Sequence, residues 1–339
     1  MNVNPDPVLP KQQPDDQILD LALRPVSFGE YVGQKNIKDN LKVIIGATRK
    51  RNESLEHVLL HGPSGLGKTT LAYLIAKELG ANLKTTSGTA LEKAGDVGSI
   101  LTSLSDGDVL FIDEVHRLNK AVEEVIYPAM ENFKLDIIIG KGSSAKTLQI
   151  DLPRFTLIAA TTKISLLSAP FRSRFGANFR LDFYKTDEIK DILSRSAKLL
   201  KISVAPEALT ILADASRSTP RVANRLLKRV RDFAQMNDTN MVDAKVVKQG
   251  LKMLEVDERG LEETDRKILL TIADKFNGGP VGLKSIAASI SEEEGTIEDV
   301  YEPYLLQIGF MARTSKGRVI TNHGLKHLGL KAKEESFEF

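Results

Sequence analysis

The length, composition and charge of this sequence exclude several classes of protein. The chain has 339 residues, a length that favours two or three domains over one core. Its net charge of +2, from 47 basic and 45 acidic residues, gives no global field that would indicate nucleic acid or membrane as a partner. The lack of cysteine excludes disulfides and cysteine-ligated zinc. Because no stretch approaches the roughly 20 apolar residues of a membrane span, and Met1 to Pro25 lack an apolar signal core, we expect a cytoplasmic protein.

Two regions are distinguished at the start of the chain. Residues 1–17 carry four prolines and several acids before the first apolar run, which predicts a disordered leader. From residue 18 to residue 184, β-branched runs alternate with helical patterns, and three runs are predicted to be buried strands: His57 to Gly62, Val109 to Ile112 and Phe155 to Thr161. This alternation is typical of an α/β fold, a parallel sheet flanked by helices.

The rest of the chain divides into two further parts. Residues 185–255 have a helical period with one apolar stripe, which predicts a small helical domain. Residues 256–339 predict three helices, Asp265 to Phe276, Leu283 to Ser289 and Thr296 to Ile308, followed by two short strands around Ser315 to Gly317. Three helices followed by a hairpin are the pattern of a winged helix-turn-helix. We therefore expect domains at residues 18–184, 185–255 and 256–339.

Residues 62–69 match the phosphate-binding pattern G-x-x-x-x-G-K-[ST]. The match follows the apolar run Val58 to Leu60 and precedes a helical pattern from Thr70 to Leu79, an arrangement that directs backbone N–H groups and the helix dipole toward a phosphate. Lys68 is then expected to span the β and γ phosphates, and the Thr69 hydroxyl to ligate Mg²⁺. The flanking strand and helix disfavour the alternative, a glycine-rich turn with a solvated lysine.

Two acids follow the second buried run, Val109 to Ile112. Ligands of open α/β sheets bind at the carboxyl ends of the strands. Asp113 is therefore expected to hold the Mg²⁺ hydration shell, and Glu114 to orient or deprotonate the attacking water. An acid-rich helix N-terminus is the alternative interpretation. Together with the phosphate-binding loop, these acids predict an ATP hydrolase that uses ATP and Mg²⁺.

Phosphoryl transfer also needs cations around the γ-phosphate. Arg174 lies in a polar turn after the third strand, too late in the domain to reach its own phosphates easily, so it suits a finger that enters a neighbour's site. Arg221 follows Pro220 at a predicted helix start, from which it would sense the γ-phosphate in cis. Thr161 and Thr162 end a strand beside the site, where a hydroxyl would contact the attacking water. Taken alone, such arginines are more often solvated surface residues, and such threonines are common at strand ends.

Several segments resemble one family, the RuvB family of bacterial Holliday-junction branch-migration motors in the AAA+ ATPase superfamily. The resemblance covers the chain from about Leu23 to about Leu330 and is carried by short motifs in each predicted domain. These motifs are Leu23-Arg24-Pro25 with Tyr31-Val32-Gly33-Gln34, residues 62–70, Leu110 to Leu118, Ser173-Arg174-Phe175-Gly176, Thr219 to Leu227, and Glu302-Pro303-Tyr304-Leu305 through Gly309-Phe310 to Arg318.

The resemblance implies roles for individual residues. Leu23, Arg24 and Tyr184 would contact the nucleotide base. Thr162 would be the first sensor, Arg221 the second, and Arg174 the finger that acts in trans. The remaining residues implied in nucleotide binding are those of the loop and of one segment near the nucleotide: Gly65, Leu66, Gly67, Lys68, Thr69, Thr70, Glu131, Asn132 and Phe133.

The resemblance also implies partners. A finger in trans requires an oligomer, and the family suggests a hexameric ring around duplex DNA at four-way junctions. The segment Leu135 to Asp151 is predicted to form a hairpin, which in the family docks on a RuvA-like junction-binding protein; the RuvC resolvase is a further candidate partner. A hairpin whose Leu135, Ile137 and Ile139 simply pack inward is the alternative.

DNA contact is expected in the last domain, although residues 256–339 hold 15 acidic and 11 basic residues. The stretch from Arg313 to Lys333 has six basic residues and no acid, so one surface of the wing can face phosphates. Arg313 and Arg318 match DNA-contacting arginines of the family, and Lys316 lies between them at the hairpin tip. Such contacts hold the backbone without reading sequence.

The sequence departs from the family pattern at three positions: Ser64 replaces proline, Lys163 replaces arginine, and Glu294 replaces a basic residue. Only Glu294 is expected to weaken phosphate contact. The predicted function is an ATP-driven motor for Holliday-junction branch migration in recombination and DNA repair. A clamp-loader subunit is one alternative, although a different C-terminal collar would then be expected. An ATP-gated DNA-binding regulator is another, and Glu114 argues against it.

Overall fold

The computed structural model of the chain describes residues 22–139, 146–239 and 241–331. The predicted leader, residues 1–17, lies outside the described residues. Within residues 22–184, the helices are α1 (Lys35–Arg51), α2 (Lys68–Leu79), α3 (Ala94–Thr102), α4 (Lys120–Asn132) and α5 (Ala169–Arg172). The strands of this part are β1 (Val58–His61), β2 (Leu83–Ser87), β3 (Val109–Asp113), β4 (Lys134–Ile139), β5 (Lys146–Asp151), β6 (Thr156–Thr161) and β7 (Ala177–Arg180).

A five-stranded parallel sheet organises this large domain, with strand order β2-β3-β6-β1-β7. The three central strands are those predicted from sequence, and they are apolar and almost entirely buried because helices cover both faces. The outer strands β2 and β7 were not predicted, because their residues are only partly buried and mix polar with apolar side chains. The sheet places the ends of β1, β3 and β6 side by side, where the site lies.

The strands β4 and β5 pair antiparallel, in register from Lys134 with Asp151 to Ile139 with Lys146. This confirms the predicted hairpin, although its tip, residues 140–145, lies outside the described residues. Leu135 is buried, as an inward-packing hairpin requires, whereas Leu148 on the opposite strand is 49% exposed. The hairpin therefore combines a buried base with an exposed apolar side chain.

A group of helices follows this large domain: α6 (Thr186–Leu199), α7 (Pro206–Asp214), α8 (Pro220–Met236) and α9 (Ala244–Met253), referred to below as the small domain. The side chains of Thr219 and Asp243 accept hydrogen bonds from backbone N–H groups in the first turns of α8 and α9, which fixes where these helices begin. The purely helical prediction missed a short parallel pair, β8 (Ser203–Val204) with β9 (Met241–Val242). Strands of two residues are too short to produce a period that sequence analysis detects.

The last domain contains α10 (Glu263–Leu270), α11 (Leu283–Ile290), α12 (Glu294–Thr296), α13 (Glu302–Gln307), the antiparallel strands β10 (Met311–Thr314) and β11 (Gly317–Ile320), and α14 (Asn322–His327). This order confirms the predicted winged helix. Two predicted helices continue or pass through π-helical turns, at Thr271–Lys275 and Ile297–Tyr301. Of the helices within the described ranges, none is long and apolar enough to cross a membrane.

Candidate nucleotide site

The phosphate-binding loop connects β1 to α2, and its lysine has an N–H donor available for an anion. Lys68 is buried, and its Nζ donates to the carbonyl oxygens of Gly62 and Pro63, both at 2.8 Å. An ammonium group has three N–H donors, so one remains for a phosphate. Burial lowers the pKa of Lys68 to about 8, while Asp113 and Glu114 oppose that shift. The hydrogen bonds of the ammonium group are thus made to neutral carbonyl oxygens and not to a neighbouring acid.

Thr69 and Asp113 provide the oxygen ligands that Mg²⁺ prefers. The Thr69 hydroxyl donates to Asp113 Oδ2 over 3.0 Å, which joins the first turn of α2 to the end of β3. A hydroxyl and a carboxylate oxygen this close fit a small, hard cation that keeps several waters and also binds phosphate oxygens. The structure therefore brings together the two residues predicted as metal ligands.

Glu114 follows β3 in a left-handed backbone conformation, with φ of 50°. Its carbonyl oxygen lies so close to Gly88 that a Cβ on that glycine would be only 2.4 Å away. Glycine at position 88 is therefore needed for the chain to turn here, and sequence reasoning did not single it out. The turn directs the Glu114 side chain into the pocket, where it is 43% exposed.

The small domain closes the pocket over the loop. Arg221, at the start of α8, donates from Nη1 to Ser64 Oγ over 3.2 Å. Tyr184, where the two domains meet, donates its hydroxyl proton to the hydroxyl of Tyr31 over 3.2 Å, and Tyr31 donates to the Leu66 carbonyl oxygen over 3.4 Å. Both phenols are buried, and burial raises the pKa of Tyr184 to about 12. These contacts tie the small domain to the loop residues that would hold phosphate.

Arg195 on α6 was not predicted, yet it holds the segment expected to contact the base. It donates to the carbonyl oxygens of Leu23 (2.8 Å) and Arg24 (3.2 Å) and pairs with Glu30 over 2.6 Å. In the sequence, Arg195 looks like a solvated charge on an amphipathic helix. Only the packing of α6 against residues 23–30 reveals its role.

Most of the predicted nucleotide residues line one pocket. Its lining includes Leu23, Arg24, Tyr31, Ser64, Gly65, Gly67, Lys68, Thr69, Thr70, Asp113, Glu114, Tyr184, Arg195, Arg221 and Asn224. Of the predicted residues, Leu66, Thr162, Arg174 and Glu131 to Phe133 are not part of this lining, and Leu66 is fully buried. Thr162 lies just beyond β6 and is half-buried. The roles of these residues at a nucleotide stay predictions.

Arg174 lies outside this pocket, next to Glu131 of the same domain. Its Nη2 is 3.0 Å from Glu131 Oε1, and its guanidinium lies 4.2 Å from the centre of the Tyr127 ring. The structure thus places two residues predicted near a nucleotide together, but away from the pocket of their own chain.

A buried histidine connects Glu114 to the end of β6. His116 Nε2 is 3.3 Å from Glu114 Oε2, and His116 Nδ1 is 3.0 Å from Thr161 Oγ1. The hydroxyl linked to the acid therefore belongs to Thr161 and not to Thr162. In the sequence, His116 occurs only inside the longer motif Leu110 to Leu118, and no local spacing identifies it.

In the wing, the predicted DNA-binding arginines converge on one acid. Arg313 and Arg318 both reach Glu302, which is 1% exposed, at distances between 2.8 and 3.1 Å. The Arg318 side chain is 14% exposed and that of Arg313 is 51% exposed. Lys316 at the hairpin tip is exposed. Arg313 and Lys316 are thus accessible to phosphates, whereas Arg318 already has a buried partner.

A phosphate-binding loop after β1, two acids at the end of β3 and a lid arginine that returns to the loop define an ATPase of the AAA+ class. Comparison with known families agrees. The RuvB P-loop domain, described as that of a Holliday junction DNA helicase, matches residues 23–181; the RuvB AAA lid domain matches 184–257; and the RuvB C-terminal winged helix domain matches 258–329. The chain belongs to the RuvB family of ATP-dependent Holliday-junction helicase motors.

Solved structures support the same assignment. The chain is 49% identical to the Thermotoga maritima RuvB Holliday junction branch migration motor, with a TM-score of 0.85, over 92% of this chain and 100% of that chain. A point mutant of the T. maritima protein is 48% identical, also with a TM-score of 0.85, over 92% of this chain and 99% of the other. The predicted resemblance, fold class and enzyme class are therefore confirmed.

Proposed function

We propose that this chain couples ATP hydrolysis to the movement of duplex DNA, and so drives branch migration of four-way junctions in recombination and repair. The observation that carries the proposal is a connection through the small domain. Arg221 contacts the phosphate-binding loop, and four residues earlier Arg217 pairs with Asp265 of the winged-helix domain over 2.5 Å. Asp265 is fully buried, and the Arg217 side chain is 10% exposed.

This connection gives the DNA domain a rigid attachment to the lid. Arg217 also donates to the Val300 carbonyl over 3.3 Å and lies over the Tyr304 ring at 4.7 Å. Breaking a buried ion pair of this kind is costly, so the lid and the winged helix are expected to move as one body. When Arg221 follows the γ-phosphate, the winged helix is then displaced with it.

The chemistry follows from the pocket residues. Lys68 binds the β and γ phosphates, and Glu114 accepts a proton from the attacking water. Thr69 and Asp113 would hold Mg²⁺, which would neutralise charge on the phosphate oxygens. Leu23, Arg24 and Tyr184 hold the base end, and Thr162 and Arg221 sense the γ-phosphate.

Arg174 is proposed to act on a neighbour's ATP, which requires a ring, and a hexamer around duplex DNA is the arrangement we favour. The pairing of Arg174 with Glu131, outside the pocket of their own chain, supports this assignment. The β4 and β5 hairpin, with Leu148 half exposed, is the proposed docking point for a RuvA-like junction-binding protein. Contact with a RuvC-like resolvase is a further proposal, since ring and resolvase would share one junction.

The test is ATP-dependent movement of a synthetic four-way junction, with and without a RuvA-like partner. Glu114→Gln keeps the size of the side chain and removes the base, so we expect nucleotide binding without turnover or junction movement. Lys77→Ala, on the exposed side of α2, is the control that should retain both. Normal turnover in Glu114→Gln would remove Glu114 from the mechanism. If the wild type binds ATP and DNA but hydrolyses almost nothing, the alternative of an ATP-gated regulator would be favoured instead.

A further inference from the structure

One close contact and two hydrogen bonds connect the proposed general base to the residues beyond β6. His116 lies between the carboxylate of Glu114 (3.3 Å) and the hydroxyl of Thr161 (3.0 Å). The backbone N–H of Lys163 donates to the same hydroxyl over 2.9 Å. The side chain of His116 is 9% exposed and Thr161 is fully buried, whereas the side chains of Glu114 and Lys163 at the two ends are 43% and 31% exposed.

The donors and acceptors that each group offers determine where the protons lie in this series of contacts. An ionised Glu114 can only accept, so His116 must carry its proton on Nε2. Burial lowers the pKa of His116, which favours the neutral ring and leaves Nδ1 as an acceptor. Thr161 therefore donates to Nδ1 while it accepts from Lys163. The two hydrogen bonds therefore run in one direction only, and the 3.3 Å contact sets the His116 ring beside Oε2 of Glu114.

The last residue in this series of contacts, Lys163, pairs with a residue of the winged-helix domain. Lys163 Nζ lies 2.6 Å from Asp299 Oδ2, and the two side chains are 31% and 34% exposed. Asp299 lies in the π-helical turn Ile297–Tyr301, next to Glu298, which is 3.4 Å from Arg313 of the wing. An ion pair this exposed contributes little to stability, so its removal tests coupling and not folding.

We propose that His116 is a positioning residue for ATP hydrolysis, and that the pair of Lys163 and Asp299 adjusts this position according to the winged-helix domain. His116 orients Glu114 toward the attacking water. A displacement of the winged helix by DNA pulls on Lys163, whose backbone holds the Thr161 hydroxyl that holds His116. The second part rests on the proposed function, because DNA is the load that moves this domain.

The first experiment measures turnover without DNA at saturating ATP. His116→Asn retains an acceptor near Nδ1 but cannot reach Glu114, whereas His116→Gln keeps a donor near the Nε2 position. We expect about a tenfold loss of kcat in His116→Asn and in Thr161→Val, with KM unchanged, because the acid is misplaced while the nucleotide is still bound. His116→Gln should recover most of the wild-type kcat.

Two results would overturn the positioning role. One is an unchanged kcat in both His116→Asn and Thr161→Val. The other is an equal loss in His116→Asn and His116→Gln together with a raised KM, which would indicate a structural role for the ring. Thermal unfolding and assembly size of each variant distinguish misfolding from misplacement.

The second experiment compares turnover with and without four-way junction DNA. Asp299→Asn should abolish most of the DNA response while basal turnover is retained. Glu262→Gln is the matched control, because Glu262 also joins the winged helix to another domain, through Arg225 over 2.7 Å, at a contact that includes neither Lys163 nor His116. The charge exchange Lys163→Asp with Asp299→Lys should restore the response.

These outcomes test the link between Lys163 and Asp299 separately from the proposed motor function on which it rests. If Asp299→Asn and Glu262→Gln both respond to DNA like the wild type, the link is overturned while the motor function stands. If wild-type turnover does not respond to junction DNA, the proposed function and the link both fail, and the role of His116 still stands or falls on basal turnover.

Discussion

The nucleotide pocket and the wing use basic side chains in opposite ways. In the pocket, Lys68 is held by two carbonyl oxygens, so its full charge remains for a phosphate. In the wing, Arg313 and Arg318 share the buried carboxylate of Glu302, so part of their charge is already compensated. A basic residue in a motif typical of anion binding therefore does not by itself show that its charge is available to an anion. What it contacts in the folded chain decides that.

Removing the pocket lysine is expected to have the largest effect. Lys68→Ala deletes the cation that spans the β and γ phosphates, so ATP turnover should fall by at least about 100-fold. Lys77→Ala removes an exposed lysine from the same helix and should leave turnover unchanged. A steady-state ATPase assay compares the two. Near-normal turnover in Lys68→Ala would mean that the pocket charge is not used on phosphate.

Arg174 extends the comparison to the surface between subunits. Arg174→Ala alone should reduce turnover about 100-fold, because a cation is lost from the γ-phosphate. Mixing Arg174→Ala with Lys68→Ala subunits should restore some activity, since an interface can then combine an intact loop with an intact finger. Arg172→Ala, an exposed neighbour, should be active by itself. A lack of recovery in rings shown to be mixed would place Arg174 in cis.

Replacing the two wing arginines should change different quantities, stability for Arg318 and the salt dependence of DNA binding for Arg313. Arg318→Ala breaks a largely buried pair, so we expect the free energy of unfolding of the winged-helix domain to fall by about 2 kcal/mol. Arg313→Ala should instead reduce the slope of log DNA affinity against log salt by about 1 unit, because one phosphate contact is lost. Amide hydrogen exchange in residues 311–320 and DNA binding at several salt concentrations measure these quantities. The reverse assignment would place DNA against Arg318.

The smallest expected effect is at Ser64, the loop residue that departs from the family. Ser64→Ala and Ser64→Pro both remove the acceptor for Arg221, an exposed contact at 3.2 Å, so the KM for ATP should rise about two- to threefold. Ser64→Thr keeps the hydroxyl and should behave like the wild type. If proline lowers the KM, the family residue stiffens the loop more than the serine contact stabilises it.

Much of this site was predictable because it depends on short, contiguous patterns. The loop around Lys68, the acids Asp113 and Glu114 and the order of domains follow from local periodicity and spacing. The strands β2 and β7 were missed because edge strands are partly exposed and carry mixed residues. Arg195 was missed because a charged residue on an amphipathic helix looks the same whether or not it has a partner.

The sequence by itself determined that the protein uses ATP and which class of enzyme it belongs to, because a phosphate-binding loop after a buried strand is specific for binding phosphates. Only the tertiary structure decided which charges are available. It paired Arg318 with Glu302, set Arg174 beside Glu131, and joined Glu114 through His116 to the strand beyond. These partners are far apart in sequence, and packing alone brings them within hydrogen-bonding distance.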